Sequence, residues 1–195
     1  MSSEIDLANI GLTMLGENTI LSIDNETPVQ QAVNVLWPVA VRDFVLSEHL
    51  WNGAVKMATL AQLAGTPLFD WTYQFVLPSD CLRVIRTDTD GLSWKVGIGS
   101  DETTKVLLYN QSTCKIEYLF RQTNVNYYSP SLQTAMGARF AMMLATVLTA
   151  HRGKLDDMTK AYYHFLGIAK AADGQEGSPI AFESTTLTED VRLGG

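Results

Sequence analysis

Apolar residues first recur along the chain at spacings of three and four. Ile5, Ala8, Leu12 and Leu15 share one helical face, and Ser3 with Asp6 makes a capping-box pattern in which Asp replaces the usual Glu or Gln. Gly16 supplies the stop, so the pattern predicts a helix over about 4–15. A polar, turn-like stretch follows at 21–27. Thr27, Pro28 and Gln30 then occupy N-cap, N1 and N3 of a second helix ending near His49. Its apolar face reads Val29, Val33, Leu36, Ala40 and Phe44, and Pro38 inside it removes one hydrogen bond and predicts a kink.

Across 51–122 the period drops to two. Runs at 54–63, 71–77, 82–87, 92–96, 105–109 and 115–121 read as strands. Turn residues at 65–67, 78–80, 90–91, 97–100 and 110–112 separate them. Helical spacing returns where Ser129 and Pro130 open a third helix that runs to about His151. Leu132, Met136, Phe140, Met143 and Val147 form one face of it. Gly137, Ala141 and Ala145 form a second stripe, small enough for another backbone to come close. Gly153 breaks the chain, and a fourth helix over 154–172 carries a narrow seam of Leu155, Met158, Tyr162, Phe165 and Ala169.

The expected fold class is therefore α+β: an antiparallel helical bundle with an inserted small antiparallel β domain and an extended C-terminal arm. The units are helices at 1–50, a β domain at 51–125, helices at 126–173 and the arm at 174–195. In that last segment Gly, Ser, Thr, Pro and acidic residues surround single apolar ones, spaced too loosely for a core. Its composition fits a solvated terminus as well as an arm that orders against a partner.

Charge and cysteine content narrow the functional classes. Fourteen Lys and Arg against 21 Asp and Glu give a net charge of −7, and no basic run interrupts it. Gripping DNA by phosphate neutralisation needs a basic face; an acidic wall instead lets DNA pass without sticking. The longest strongly apolar run, at 140–150, is far below a membrane span, and the first residues lack a signal-peptide pattern. A cytoplasmic origin is expected. Cys81 and Cys114 show no metal spacing and are expected as free thiols.

No catalytic constellation emerges. His49 and His151 sit near helix C-termini, where a partly positive imidazole suits the dipole, and His164 lies on a helix. Asp156 and Asp157 fit the first turn of the fourth helix for the converse reason. Asp88, Asp90 and Gly91 lack the rest of a calcium loop and read as a hairpin turn. The Gly97-Ile98-Gly99-Ser100 string has neither the Lys-Ser/Thr nor the helix of a phosphate loop. Trp37, Trp51, Trp71, Trp94 and Tyr127-Tyr128, without interleaved basic residues, read as packing residues and not as base-stacking platforms. Neither a metal nor a cofactor is expected.

Several strings together resemble a known family. These are Leu15-Gly16 with Ile20 and Asp24, Trp37-Pro38, Arg42-Asp43 with Leu46, Leu50-Trp51-Asn52, Lys56 and Leu60-Ala61. Most specific are Trp71-Thr72-Tyr73 and the run Leu77-Pro78-Ser79-Asp80-Cys81-Leu82-Arg83-Val84. The segment resembles the tail tubular protein A-like head-to-tail adaptors of short-tailed bacteriophages; Gly53-Ala54 departs from it where an aromatic-Ala pair is expected. The remainder of the chain matches only in the order of its elements. The resemblance implies a non-catalytic virion protein at the head-tail junction, assembled in the host cytoplasm. Its subunits would form a dodecameric ring under the portal protein, extend the channel for double-stranded DNA and dock the tail nozzle or tail fibre proteins. It also implies a portal-binding arm, whose anchors here would be Pro179, Ile180, Phe182, Leu187, Val191 and Leu193. A tail-carried cell-wall hydrolase and a connector of a long-tailed phage are the alternatives.

The string itself reads as structural. Pro78 and Asp80 are expected to turn the chain between two strands, with the Asp carboxylate holding the turn amides. Alternation places Leu82 and Val84 on one face and Cys81 and Arg83 on the other. Arg83 is expected to pair with an acidic residue of its own or a neighbouring subunit.

Overall fold

The computed structural model describes residues 3–24, 27–67, 69–89, 91–148 and 152–177, with side chains omitted at 146–148 and 152. Helix α1 spans Glu4–Leu15. The Ser3 hydroxyl accepts from the Asp6 amide while the Asp6 carboxylate accepts from the Ser3 amide, and Gly16 closes the helix in the left-handed conformation at φ 74°. Helix α2, Pro28–Leu36, opens with the reciprocal Thr27–Gln30 pair.

At Pro38 the helix neither stops nor stays α-helical. It continues as a π-helical segment, Trp37–Asp43, into the short helix α3, Phe44–Ser47. Pro38 has no amide to donate, and the i→i+5 register absorbs that loss. The extra residue per turn rotates the face. Val33, Trp37, Val41 and Val45 are buried at a steady spacing of four, whereas Phe44 is 40% exposed. The expected face through Ala40 and Phe44 is thus corrected beyond Pro38. The Ala40 carbonyl is left to accept from Arg139 Nε at 3.1 Å.

A single 3-10 turn, Asn52–Ala54, leads into six strands: β1 Val55–Thr59, β2 Tyr73–Val76, β3 Cys81–Thr87, β4 Lys95–Ile98, β5 Lys105–Tyr109 and β6 Lys115–Phe120. They form two antiparallel three-stranded sheets, ordered β1-β6-β3 and β2-β5-β4. After β1 the chain crosses to the second sheet, where Leu63 N donates to Gln74 O and Val76 N to Ala61 O. Several expected boundaries move: β1 stops at Thr59 and not at 63, and β4 starts at Lys95 and takes in Gly97 and Ile98, so the turn begins at Gly99. The expected turn at Asp90 lies outside the described residues.

In that turn Asp101 accepts from the amides of Thr103 and Thr104, at 3.2 and 3.0 Å, and from both hydroxyls. These bonds, those from Thr104 foremost, pull its carboxyl down to about 2 from an ordinary 3.8. A folded-state value below the unfolded one stabilises the turn fully above about pH 4, with the gain lost as pH falls through about 2. The expected result is a carboxyl carbon NMR titration of Asp101 with its midpoint near 2, and a Thr104 amide that stays protected at pH 3.5.

Helix α4, Pro130–Leu148, packs along α5, Arg152–Gly174, and across α1. The Gly137 stripe does what its size allows: Gly11 and Gly137 face each other at the α1–α4 crossing, where no Cβ fits on either. On α5 the expected seam faces the core: Tyr162 and Ala169 are buried, Leu155, Met158 and Phe165 pack against them half-buried, and Leu166 joins as a further buried residue. The fold mixes helices and strands, and its buried apolar residues form two clusters. One joins the helices with Trp51, Ala54 and Leu119, and the other lies among the strands around Phe75, Leu107 and Tyr118.

Between the two clusters lies a chain of charges. Asp43 accepts from Arg42 Nε at 3.0 Å and from Arg121 Nε, just beyond β6, at 2.7 Å; Arg42 also reaches Glu4 at 2.9 Å. Burial would lower the Arg42 guanidinium, but hydrogen bonds to Asp43 and Glu4 outweigh it and hold it above its ordinary value.

Candidate functional site

The string from Trp71 to Val84 sits where the two sheets meet. Thr72 donates its amide and hydroxyl to Asn110 Oδ1, at 2.8 and 3.2 Å, fixing the entry to β2 against the turn after β5. Trp71 and Tyr73 are half-buried there and Leu77 is buried. Pro78 O accepts from Cys81 N at 2.9 Å and closes the turn into β3.

Asp80 does not hold the turn amides. Its carboxylate instead accepts from Lys56 Nζ of β1 at 3.2 Å and from the Tyr118 hydroxyl of β6 at 3.3 Å, while its carbonyl accepts from Arg121 N. Lys56 in turn lies 3.6 Å above the Phe120 ring. Burial first, then the Asp80 charge, push the Tyr118 phenol up to about 12. One acidic side chain thereby ties the turn to β6, the neighbour of β3, and to β1 beyond it.

The expected alternation also fails, because register shifts fall between Cys81 and Arg83 and between Val84 and Arg86. An extra residue in one strand turns the following side chains over. Cys81 and Val84 therefore pack on the strand cluster and Leu82 on the helical one. Arg83 is exposed, and among the described residues of its own chain it makes no ion pair. Both cysteines are free: Cys114 is buried with its thiol pushed up to about 11 by burial, and Cys81 is half-buried with its thiol raised for the same reason.

Beside the bulge lies a groove of about 380 Å³, lined by Leu77, Val84, Trp94 and Val96, with Cys81 in its wall and Arg83 and Lys105 at its edge. A second hollow, of about 320 Å³, opens on the β1-β6-β3 sheet around Met57, Thr87 and Ile116, where Arg86 pairs with Glu117. On the helical side Val35 and Val39 stand 74% and 70% exposed, four residues apart. Single exposed apolar residues are ordinary; two on one helix turn add to the surface open to neighbours.

At the end of α5, Asp173 is buried and its carboxylate takes two partners from the start of the β region. His49 Nε2 lies 3.1 Å from Oδ2, and Asn52 N donates to Oδ1 at 3.0 Å. The Asn52 side chain donates to Asp173 O at 2.8 Å. His49 also packs edge-on against Trp51, so its partner is a carboxylate 124 residues away and not a helix dipole. This clamp was missed in sequence, although a signal existed: Asp173 falls four residues beyond Ala169, on the buried seam. His151 and the six apolar anchors of the arm, from Pro179 to Leu193, lie outside the described residues; His164 is exposed, its ring beside that of Phe165.

Chemically, these groups hold strands to strands and strands to helices. Among the described residues no three His, Cys, Asp or Glu side chains gather as a metal requires, and no helix is long and apolar enough to cross a membrane. The searches for relatives end without a match: no family model fits the chain, and no curated protein matches it.

Proposed function

We propose that this chain is a structural head-to-tail adaptor subunit of a tailed bacteriophage, without catalytic activity. In this reading the helices at 1–50 and 126–173 form a bundle, the β region at 51–125 is inserted in it, and the segment from 174 onward is the portal-binding arm. Subunits form a ring below the portal protein at the head-tail junction of the virion, and the tail nozzle or fibre proteins dock beneath. Double-stranded DNA passes through the lumen without specific binding, which the net charge of −7 favours.

The observation that carries the reading is the work of the most family-like residues. Trp71 to Val84, and Arg42-Asp43 with them, tie strands to strands and strands to helices; none of them faces a cleft with converging acid and base. Sites of catalysis gather perturbed acids and bases around a reacting position. Here the string serves shape.

Purified protein mixed with portal rings tests the proposal. Co-sedimentation, and a second ring in electron micrographs, are the expected result. A full-length variant with Ile180, Phe182 and Leu187 changed to Ser should lose portal binding while its body stays folded. Clearing of peptidoglycan on zymograms, abolished by a single Glu or Asp substitution, would overturn the proposal in favour of a hydrolase.

A further inference from the structure

The groove beside β3 carries two exposed cations, Arg83 and Lys105. Its floor is apolar, and Arg83 and Lys105 are both exposed and form no ion pair among the described residues. The nearby Asp80 carboxylate is already engaged by Lys56 and Tyr118. An apolar trough with positive charge at its edge fits an extended segment that carries both apolar and acidic residues.

The chain carries one such segment. Residues 178–195 lie outside the described structure, and they set Ile180, Phe182, Leu187 and Val191 among Glu183, Glu189 and Asp190, with only Arg192 opposing them. The root of this segment lies just before β1. A Cβ built on Gly177 would lie 3.9 Å from Asn52 Oδ1, three residues before β1 begins. Val55 pairs with Leu119 and Leu119 with Arg83, so about 10 Å of sheet separates β1 from β3. Nine extended residues reach about 30 Å. A tethered segment that can reach its site has an effective concentration near the millimolar range, which favours the chain's own tail over that of a second copy.

The geometry points to an intramolecular dock: the tail around Phe182–Leu187 lies in the Leu77–Trp94 groove of its own chain, with Glu183 against Arg83 and Lys105. The dock concerns the chain alone and needs no portal. Its failure would leave the adaptor reading standing, and the failure of that reading would leave the dock.

Cys81, in the groove wall, is the built-in reporter. In the full-length protein a docked tail shields its thiol from iodoacetamide. Changing Ile180, Phe182 and Leu187 to Ser should raise the Cys81 alkylation rate about tenfold at fixed pH, as expected when about nine chains in ten are docked. Placed on Arg83→Glu with Lys105→Glu, or on Lys105→Glu alone, the same tail substitutions should change the rate far less. The comparison is made within each background, because removing cations also alters the thiol. Cys114, fully buried, labels only if a variant unfolds and so marks any variant to be set aside for the single substitution. An equal Cys81 rate with and without the tail substitutions would overturn the proposal. So would protection that grows with protein concentration, which would assign the groove to a second copy.

Discussion

Asp43→Ala is expected to destabilise the protein by about 3–5 kcal/mol, measured as the change in urea unfolding free energy. Asp43 is the shared acceptor of two guanidinium groups, Arg42 at 3.0 Å and Arg121 at 2.7 Å, and both it and Arg42 are only 9% exposed. Removing it leaves the Arg42 cation desolvated with Glu4 as its one carboxylate, and frees the end of β6 from the π-helical segment. Desolvation that was offset in the native state is then uncompensated, and that penalty dominates the loss. Asp43→Asn keeps one carbonyl oxygen and no charge, so it should lose less. A loss from the Ala variant below about 1 kcal/mol would show that water reaches Arg42 and that the network is effectively a surface pair.

Gly11→Ala is expected to cost about 2–3 kcal/mol despite the better helix propensity of alanine. The new methyl would lie 2.5 Å from Gly137 O and 3.0 Å from Phe140 Cδ1. A backbone carbonyl in the middle of α4 cannot swing aside as a side-chain tip would. The helices must separate, and the contacts along their crossing weaken together. Gly167→Ala on α5 provides the opposite sign: nothing lies within 4 Å of its Cβ position, and the propensity gain of about 0.5–1 kcal/mol should appear undiminished. Thermal unfolding of the two variants side by side separates packing from propensity. Equal and positive shifts would mean that α1 and α4 do not cross at Gly11.

Both predictions depend on features of differing visibility in the sequence. The small stripe of Gly137, Ala141 and Ala145 announced a close helix crossing, because only backbone size decides that approach; its partner Gly11 was not singled out. The capping residues at Ser3 and Thr27 were legible for the same local reason, each side chain reaching an amide three residues away. The strand at 105–109 followed from alternation, and that expected at 115–121 differs by one residue from Lys115–Phe120. By contrast, nothing local marked that Pro38 would be absorbed by π register, which moved Phe44 out of the core. Nor did alternation foresee the bulges after Cys81 and Val84, where one unpaired residue reverses every following side chain. The Asp80 and Asp173 carboxylates were misjudged alike: the first was assigned to its own turn and the second to a boundary, yet each bonds to partners remote in the chain.

By itself the sequence determined the helices, their caps, most strand extents and the small-residue crossing, since each depends on interactions within a few residues or on a repeating period. Only the tertiary structure decided which carboxylate meets which cation, where strand register slips, and that Arg83 and Lys105 flank an apolar groove without an ion pair among the described residues. Those depend on contacts between residues tens of positions apart, and the energy that selects them is set by burial, which no local pattern encodes.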